Sequence, residues 1–150
     1  MKKAILLVLT GVLFILGITG CSANKSDTNE ANGVLMIIKD GTLTNTSATI
    51  IIRDSNETGT YTYGESFRID KKENGKWNEA EIKNDDYAFY TIGYIIEKNG
   101  ELELKCNWED IYGSLEKGEY RLVKDAIPAS VNPITDEDKL LYLSVEFTIE

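Results

Sequence analysis

Residues 101–108 read ELELKCNW, and their alternation decides the fold. Leu102, Leu104, Cys106 and Trp108 fall on one side, and Glu101, Glu103, Lys105 and Asn107 on the other. Successive side chains of a strand point to opposite faces, so this is a strand with one dry and one wet face. Residues 141–149 repeat the pattern. Leu141, Leu143, Val145, Phe147 and Ile149 oppose Tyr142, Ser144, Glu146 and Thr148. In residues 47–54 (SATIIIRD), Ala48, Ile50 and Ile52 take the inward positions.

Working outward, the turn signals agree. Asn74-Gly75 separates residues 67–73 from 76–82, and Asn99-Gly100 separates 92–98 from 101–108. Asn-Gly supplies the positive φ angles that tight hairpins require. Asp40-Gly41 closes the first strand. The pattern predicts strands near 34–39, 47–54, 61–72, 76–82, 92–97, 101–108, 119–126 and 140–149. Seven or eight short strands at turn-spaced intervals imply an all-β antiparallel sandwich. A single helical turn is expected within residues 107–112, and no other helix.

Residues 115–120 (LEKGEY) precede the penultimate strand. Leu-x-x-Gly-x-Tyr is similar to a tyrosine corner, in which the tyrosine hydroxyl bonds to backbone just upstream. This assigns a structural role to Tyr120, with Gly118 in the turn and Leu115 packed beneath the ring.

The first twenty-one residues say where the domain works. Lys2 and Lys3 form a basic head, residues 4–18 are almost wholly apolar, and Ile18-Thr19-Gly20-Cys21 follows. About fifteen apolar residues are too few to span a ~30 Å hydrocarbon core, but they suit a signal-peptide core. The ending resembles a bacterial lipobox, which implies cleavage after residue 20 and a diacylglyceryl group on Cys21. Two acyl chains give stable anchoring. Residues 22–32 (SANKSDTNEAN) hold no aromatic or large apolar side chain. Too little surface is available there to offset ordering entropy, so a flexible tether is expected, reaching roughly 20 Å. The organisation is thus a signal peptide over 1–20, lipidated cysteine and tether over 21–32, and one domain over 33–150. The expected address is the outer face of the cell membrane, held through the lipid on Cys21.

Charge and composition exclude several functions. Without Lys2 and Lys3, 14 basic residues face 25 acidic ones, a net charge of about −11. A basic groove is the footprint of nucleic-acid binding, so no nucleic-acid partner is expected. With Cys21 acylated, Cys106 has no disulfide partner, and an ordinary core must hold the domain. The chain has no histidine, which removes Ser-His-Asp and Cys-His catalysis and the commonest metal ligand. Cys106 on an apolar face reads as an inert buried thiol. No cofactor and no metal are expected.

The residues together resemble a bacterial immunoglobulin-like domain family of Gram-positive surface lipoproteins. The resemblance rests on Tyr61-Thr62-Tyr63-Gly64-Glu65-Ser66-Phe67, Gly75-Lys76-Trp77 and Ile92-Gly93-Tyr94. It continues through Cys106-Asn107-Trp108, Leu115-x-x-Gly118-x-Tyr120 and Leu143-x-Val145-Glu146-Phe147. It implies an immunoglobulin-like (fibronectin III-like) sandwich at the cell surface. It implies no activity, because fold alone does not give function.

Three functions compete. The first is a non-catalytic surface lipoprotein that binds a protein or a wall polymer. Its contact surface is expected at Asp85, Asp86, Tyr87, Phe89, Tyr90 and Tyr94, where acids and aromatics share one segment. The second is a protease inhibitor that inserts residues 55–60 and 126–138 into an active site. The third is a glycan hydrolase built on Asp85-Asp86, Glu109-Asp110 or Asp136-Glu137-Asp138. The last cluster also offers hard oxygen ligands for calcium, although it lacks the spacing of a dedicated calcium loop.

Overall fold

The computed structural model describes residues 29–133 and 135–150. The expected signal peptide, Cys21 and most of the tether lie outside the described residues. The strands are β1 (Glu30–Ala31), β2 (Val34–Ile38), β3 (Ser47–Asp54), β4 (Tyr61–Tyr63) and β5 (Arg68–Glu73). They continue with β6 (Lys76–Glu79), β7 (Gly100–Asn107), β8 (Gly118–Pro128) and β9 (Leu141–Ile149). One helical turn, α1 (Glu109–Tyr112), follows β7, and a short 3-10 turn (Glu137–Lys139) precedes β9. The first is the expected turn. The second was not expected.

Two antiparallel sheets face each other. One has the order β1-β2-β3-β7; in the other, β8 pairs with β4 and β5 along one edge and β9 along the other, and β6 pairs with β5. The core lies between them. Trp108 stacks on Phe147 at 5.5 Å between ring centroids, and Tyr120 stacks on Phe147 at 5.8 Å. The Asn45 carbonyl accepts both Trp108 Nε1 (2.9 Å) and Leu115 N (2.8 Å), tying the β2–β3 connection to the corner. Tyr120 OH donates to the Glu116 carbonyl at 3.0 Å, so the tyrosine corner is formed as expected. Gly118 does not have a positive φ. Its requirement is space, since a Cβ there would sit 3.4 Å from the Tyr120 ring.

Three expectations need correction. First, residues 61–72 are not one strand. Tyr63 pairs with Ala126 and Arg68 with Val123, so residues 64–67 bulge opposite Lys124 and Asp125 alone. The alternating row Tyr120, Leu122, Lys124, Ala126 aims Lys124 inward, where it is only 2% exposed. Its amine donates to the carbonyls of Gly64 (2.6 Å) and Ser66 (2.8 Å), which closes the bulge. A bulge of this kind bends a strand and interrupts its ladder.

Second, residues 92–97 form no strand. Tyr94 makes a single antiparallel bridge to Tyr63, the last residue of β4. Beyond it the bulge offers no ladder, so pairing stops. Third, the domain begins before residue 33. Asn32 (φ 50°) and Gly33 (φ 77°) form a two-residue hairpin turn, with Ala31 opposite Val34 and Asn29 O accepting Met36 N at 2.6 Å. Asn32-Gly33 is itself a hairpin signal, the same dipeptide as at residues 74–75.

The Asn74-Gly75 turn is as expected, with Glu73 opposite Lys76 and φ of 52° and 76°. At residues 99–100 a turn is also present, with Gly100 N donating to Glu97 O at 2.7 Å, but no hairpin ladder precedes it.

Candidate functional site

Residues 80–99 connect β6 to β7 without regular structure, and they carry the expected contact residues. Ala80 N donates to Ile69 O (2.8 Å) and marks the end of the β5–β6 pairing. The next ladder position is taken by a side chain, because Ile69 N donates to the Tyr112 hydroxyl at 3.4 Å. Lys83 N and Asn84 N then donate to the Ile111 carbonyl, at 2.8 and 3.2 Å. Farther along, Tyr63 and Tyr94 exchange backbone bonds of 2.9 and 2.8 Å. Lys98 N finally reaches the Thr58 hydroxyl at 3.0 Å. The connection therefore runs from the α1 end of the sandwich to the β3–β4 end, laid against β4.

Its side chains divide into anchors and exposed groups. Phe89 packs edge-on against Phe67 (5.2 Å) and takes Tyr87 on its other side (5.2 Å). Tyr94 OH donates to Glu65 Oε1 at 2.8 Å, and that bond, together with burial and the carboxylate's charge, raises the phenol pKa. Ile96 is buried. Asp85 and Asp86 are exposed, Tyr87 is partly so, and Tyr90 is 76% exposed. Ile82, Ile92 and Ile95 join them at the surface, Ile95 at 61%. The three isoleucines were not among the expected contact residues. Ile92 shares the phase of Tyr94 and the buried Ile96, but with no ladder to fix its face it is exposed.

The acidic clusters are distributed as follows. Asn84 Nδ2 donates to Asp110 O at 3.1 Å, so Asp85-Asp86 and Glu109-Asp110 lie in the same region, and all four are exposed. An acid–base carboxylate pair needs one member shielded from water, which is not the case here. Asp136-Glu137-Asp138 is at the opposite end, with Asp136 Oδ1 accepting Lys139 Nζ at 2.9 Å. Among the described residues no three acidic or thiol side chains converge as metal ligands. Burial pushes the Cys106 thiol up to about 12, against a smaller opposite pull from Lys124. A thiol held protonated is a poor nucleophile.

The two loops proposed as an inhibitory wedge are neighbours, since Ala129 N donates to Thr60 O at 3.0 Å. A buried carboxylate braces the first of them. Asp54 accepts Tyr63 OH at 2.7 Å, Asn56 N at 2.8 Å and Asn56 Nδ2 at 2.9 Å.

A model of the bacterial Ig-like domain family matches residues 30–146. The chain belongs to that family. The match starts at β1, in agreement with the sheet and not with a boundary at residue 33. No curated protein matches the chain.

Proposed function

We propose that this chain is a non-catalytic surface lipoprotein that binds a partner protein through the connection at residues 80–99. The observation that carries this reading is the clustering of exposed apolar groups. Of the six large hydrophobic side chains exposed among the described residues, Ile82, Tyr87, Tyr90, Ile92 and Ile95 all lie there. Contiguous exposed apolar surface marks interaction sites, and Tyr and Trp dominate binding energy in such sites. Glu81, Asp85, Asp86 and Glu97 are exposed on the same connection, so the partner surface it suits is apolar with lysine or arginine nearby.

The test places a photo-crosslinking side chain at Tyr90 or, as control, at Thr148 on β9, in the full chain on intact cells. One discrete adduct from position 90 and none from 148 is the expected result. No adduct from either, or the same adducts from both, rejects the patch.

The membrane address belongs to the same proposal. β1 runs antiparallel to β2, so the chain enters beside β2 from the end that holds the β2–β3 connection and the tyrosine corner. With a lipid on Cys21, that end faces the membrane and residues 55–60 and 129–140 face away. A Cys21→Ser chain is expected in the soluble fraction without incorporated fatty acid; retention at the membrane rejects the anchor.

Adjacency of the Thr60 and Ala129 loops supports a second reading, insertion into a protease cleft. Full activity of a protease panel at micromolar protein removes it.

A further inference from the structure

β7 is the last strand of its sheet, and only β3 pairs with it. The connection at residues 80–99 bridges to β4 at Tyr63–Tyr94 and gives β7 no backbone bond beyond the Glu97–Gly100 turn. Along residues 101–107, the N–H and C=O groups of alternate residues point away from β3. They meet no backbone partner among the described residues. Leu102 and Leu104 face the core yet are only partly buried, since no strand lies beyond them. Glu101, Glu103, Lys105 and Asn107 are exposed on the other face. Arg53 pairs with Glu101 at 3.2 Å and Lys39 with Glu103 at 2.7 Å. Lys105 makes no ion pair among the described residues.

The charges along this edge complement themselves in one register. Directly opposed side chains of an antiparallel pair lie on the same face, so a two-fold pair of β7 strands must centre on a residue. Of the centres from residue 101 to 105, only Leu104 sets no like charges face to face. Centres 101, 103 and 105 oppose a charged residue to its own copy, and centre 102 opposes Glu101 to Glu103. With Leu104 at the axis, Glu103 stands opposite Lys105 twice, Glu101 opposite Asn107, and Leu102 opposite Cys106. Opposite charges facing across strands are favourable and like charges unfavourable. The unpaired lysine gains a carboxylate, and both leucines gain an apolar neighbour. The other edges do not match this. β1 has two residues and β6 four. β9 is long, but its outward row of Tyr142, Ser144, Glu146 and Thr148 holds a single charge and cannot complement itself.

We propose that β7 pairs with β7 of a second copy, antiparallel and centred on Leu104, so that the two four-stranded sheets join into one. Antiparallel pairing turns the second copy end for end. Two copies on one membrane therefore pair with their strands lying along it, and the end-on stance belongs to the unpaired domain. The pairing does not rest on the residue 80–99 patch.

The test measures protein mass by sedimentation equilibrium of the full chain in density-matched nonionic detergent, for the parent, Glu103→Lys and Lys105→Glu. The parent is expected at the mass of two chains at about 100 μM, where a micromolar association is nearly complete. Each variant alone opposes like charges twice and is expected at the mass of one chain. An equal mixture opposes the two lysines of one variant to the two glutamates of the other, and is expected to return to two chains. Lys105→Glu breaks no described ion pair, so its melting curve should match the parent's, which separates lost pairing from unfolding. A parent at the mass of one chain overturns the second copy as occupant of this edge. Variants that stay at two chains overturn the edge, and a mixture that stays at one chain overturns the register.

Discussion

Replacing Lys124 with methionine tests whether a buried amine holds the bulge that breaks the β4–β5 strand. The side chain reaches the carbonyls of Gly64 and Ser66 at 2.6 and 2.8 Å, and burial lowers its pKa. Two charge-assisted bonds contribute about 1.5–3 kcal/mol each. Against this stands the cost of burying an ammonium, which is several kcal/mol and which methionine avoids. These two effects roughly cancel. What remains is two carbonyls without a donor, each costing about 1–3 kcal/mol if kept from water. Gly64 and Ser66 are only half-buried, so water recovers part of that cost. The expected loss is about 2 kcal/mol, or roughly 6–10 °C in melting temperature for a domain of this size. Urea titration of residues 29–150 followed by circular dichroism reads the stability, and hydrogen exchange at Ser66 and Phe67 reads the bulge. A variant as stable as the parent, with unchanged exchange at those amides, would refute the reasoning.

Three further outcomes follow from the same structure. Tyr120→Phe keeps the ring stacked on Phe147 but loses the bond to Glu116 O, so stability should fall by about 1 kcal/mol in a urea titration; an unchanged midpoint would mean the corner bond contributes nothing. The Cys106 thiol has its folded pKa raised from 9.0 to about 12, so the unfolded chain gives up this proton first. Its contribution is fully present below pH 9 and is lost as pH rises toward 12, by up to about 4 kcal/mol. Cys106→Val should show a shallower alkaline decline than the parent, and parallel curves would contradict the assignment. Cutting the chain back to residue 33 removes the Glu30–Leu35 and Ala31–Val34 pairings and the Asn29–Met36 bond, and should cost about 1–2 kcal/mol against residues 29–150. Equal urea midpoints for the two fragments would show that β1 adds no stability.

Most strands were legible because each has one buried face. Residues 47–54 match β3 end to end, and 101–108 and 140–149 differ from β7 and β9 by one residue at each affected end. Period-two alternation reports burial, and burial is what pairs these strands. It cannot report whether a partner backbone is available. Residues 92–97 alternate well, and Tyr94 and Ile96 do face inward, but β4 ends at Tyr63 and no ladder forms. The 61–72 run conceals a similar failure, although its cause was visible elsewhere, as a lysine in the apolar row of β8. Of the expected contact residues, Phe89 serves as an anchor and Tyr94 is tied to Glu65, while Tyr90 is open to solvent. The pairing of Asp70 with both Arg68 and Arg121 was not legible, since it needs the register of β5 against β8.

The departures from alternation are also where the candidate contacts lie, for a physical reason. A sequence that satisfies every local rule leaves no apolar group outside and no polar group inside, so it has little but its strand edges to offer a partner. Here the tyrosine corner, the Asn45 carbonyl and the Trp108–Phe147 stack satisfy those rules at one end of the sandwich. Exposed isoleucines on an unpaired connection violate them elsewhere, at a cost in folding free energy. A partner that covered those side chains would recover that cost on binding.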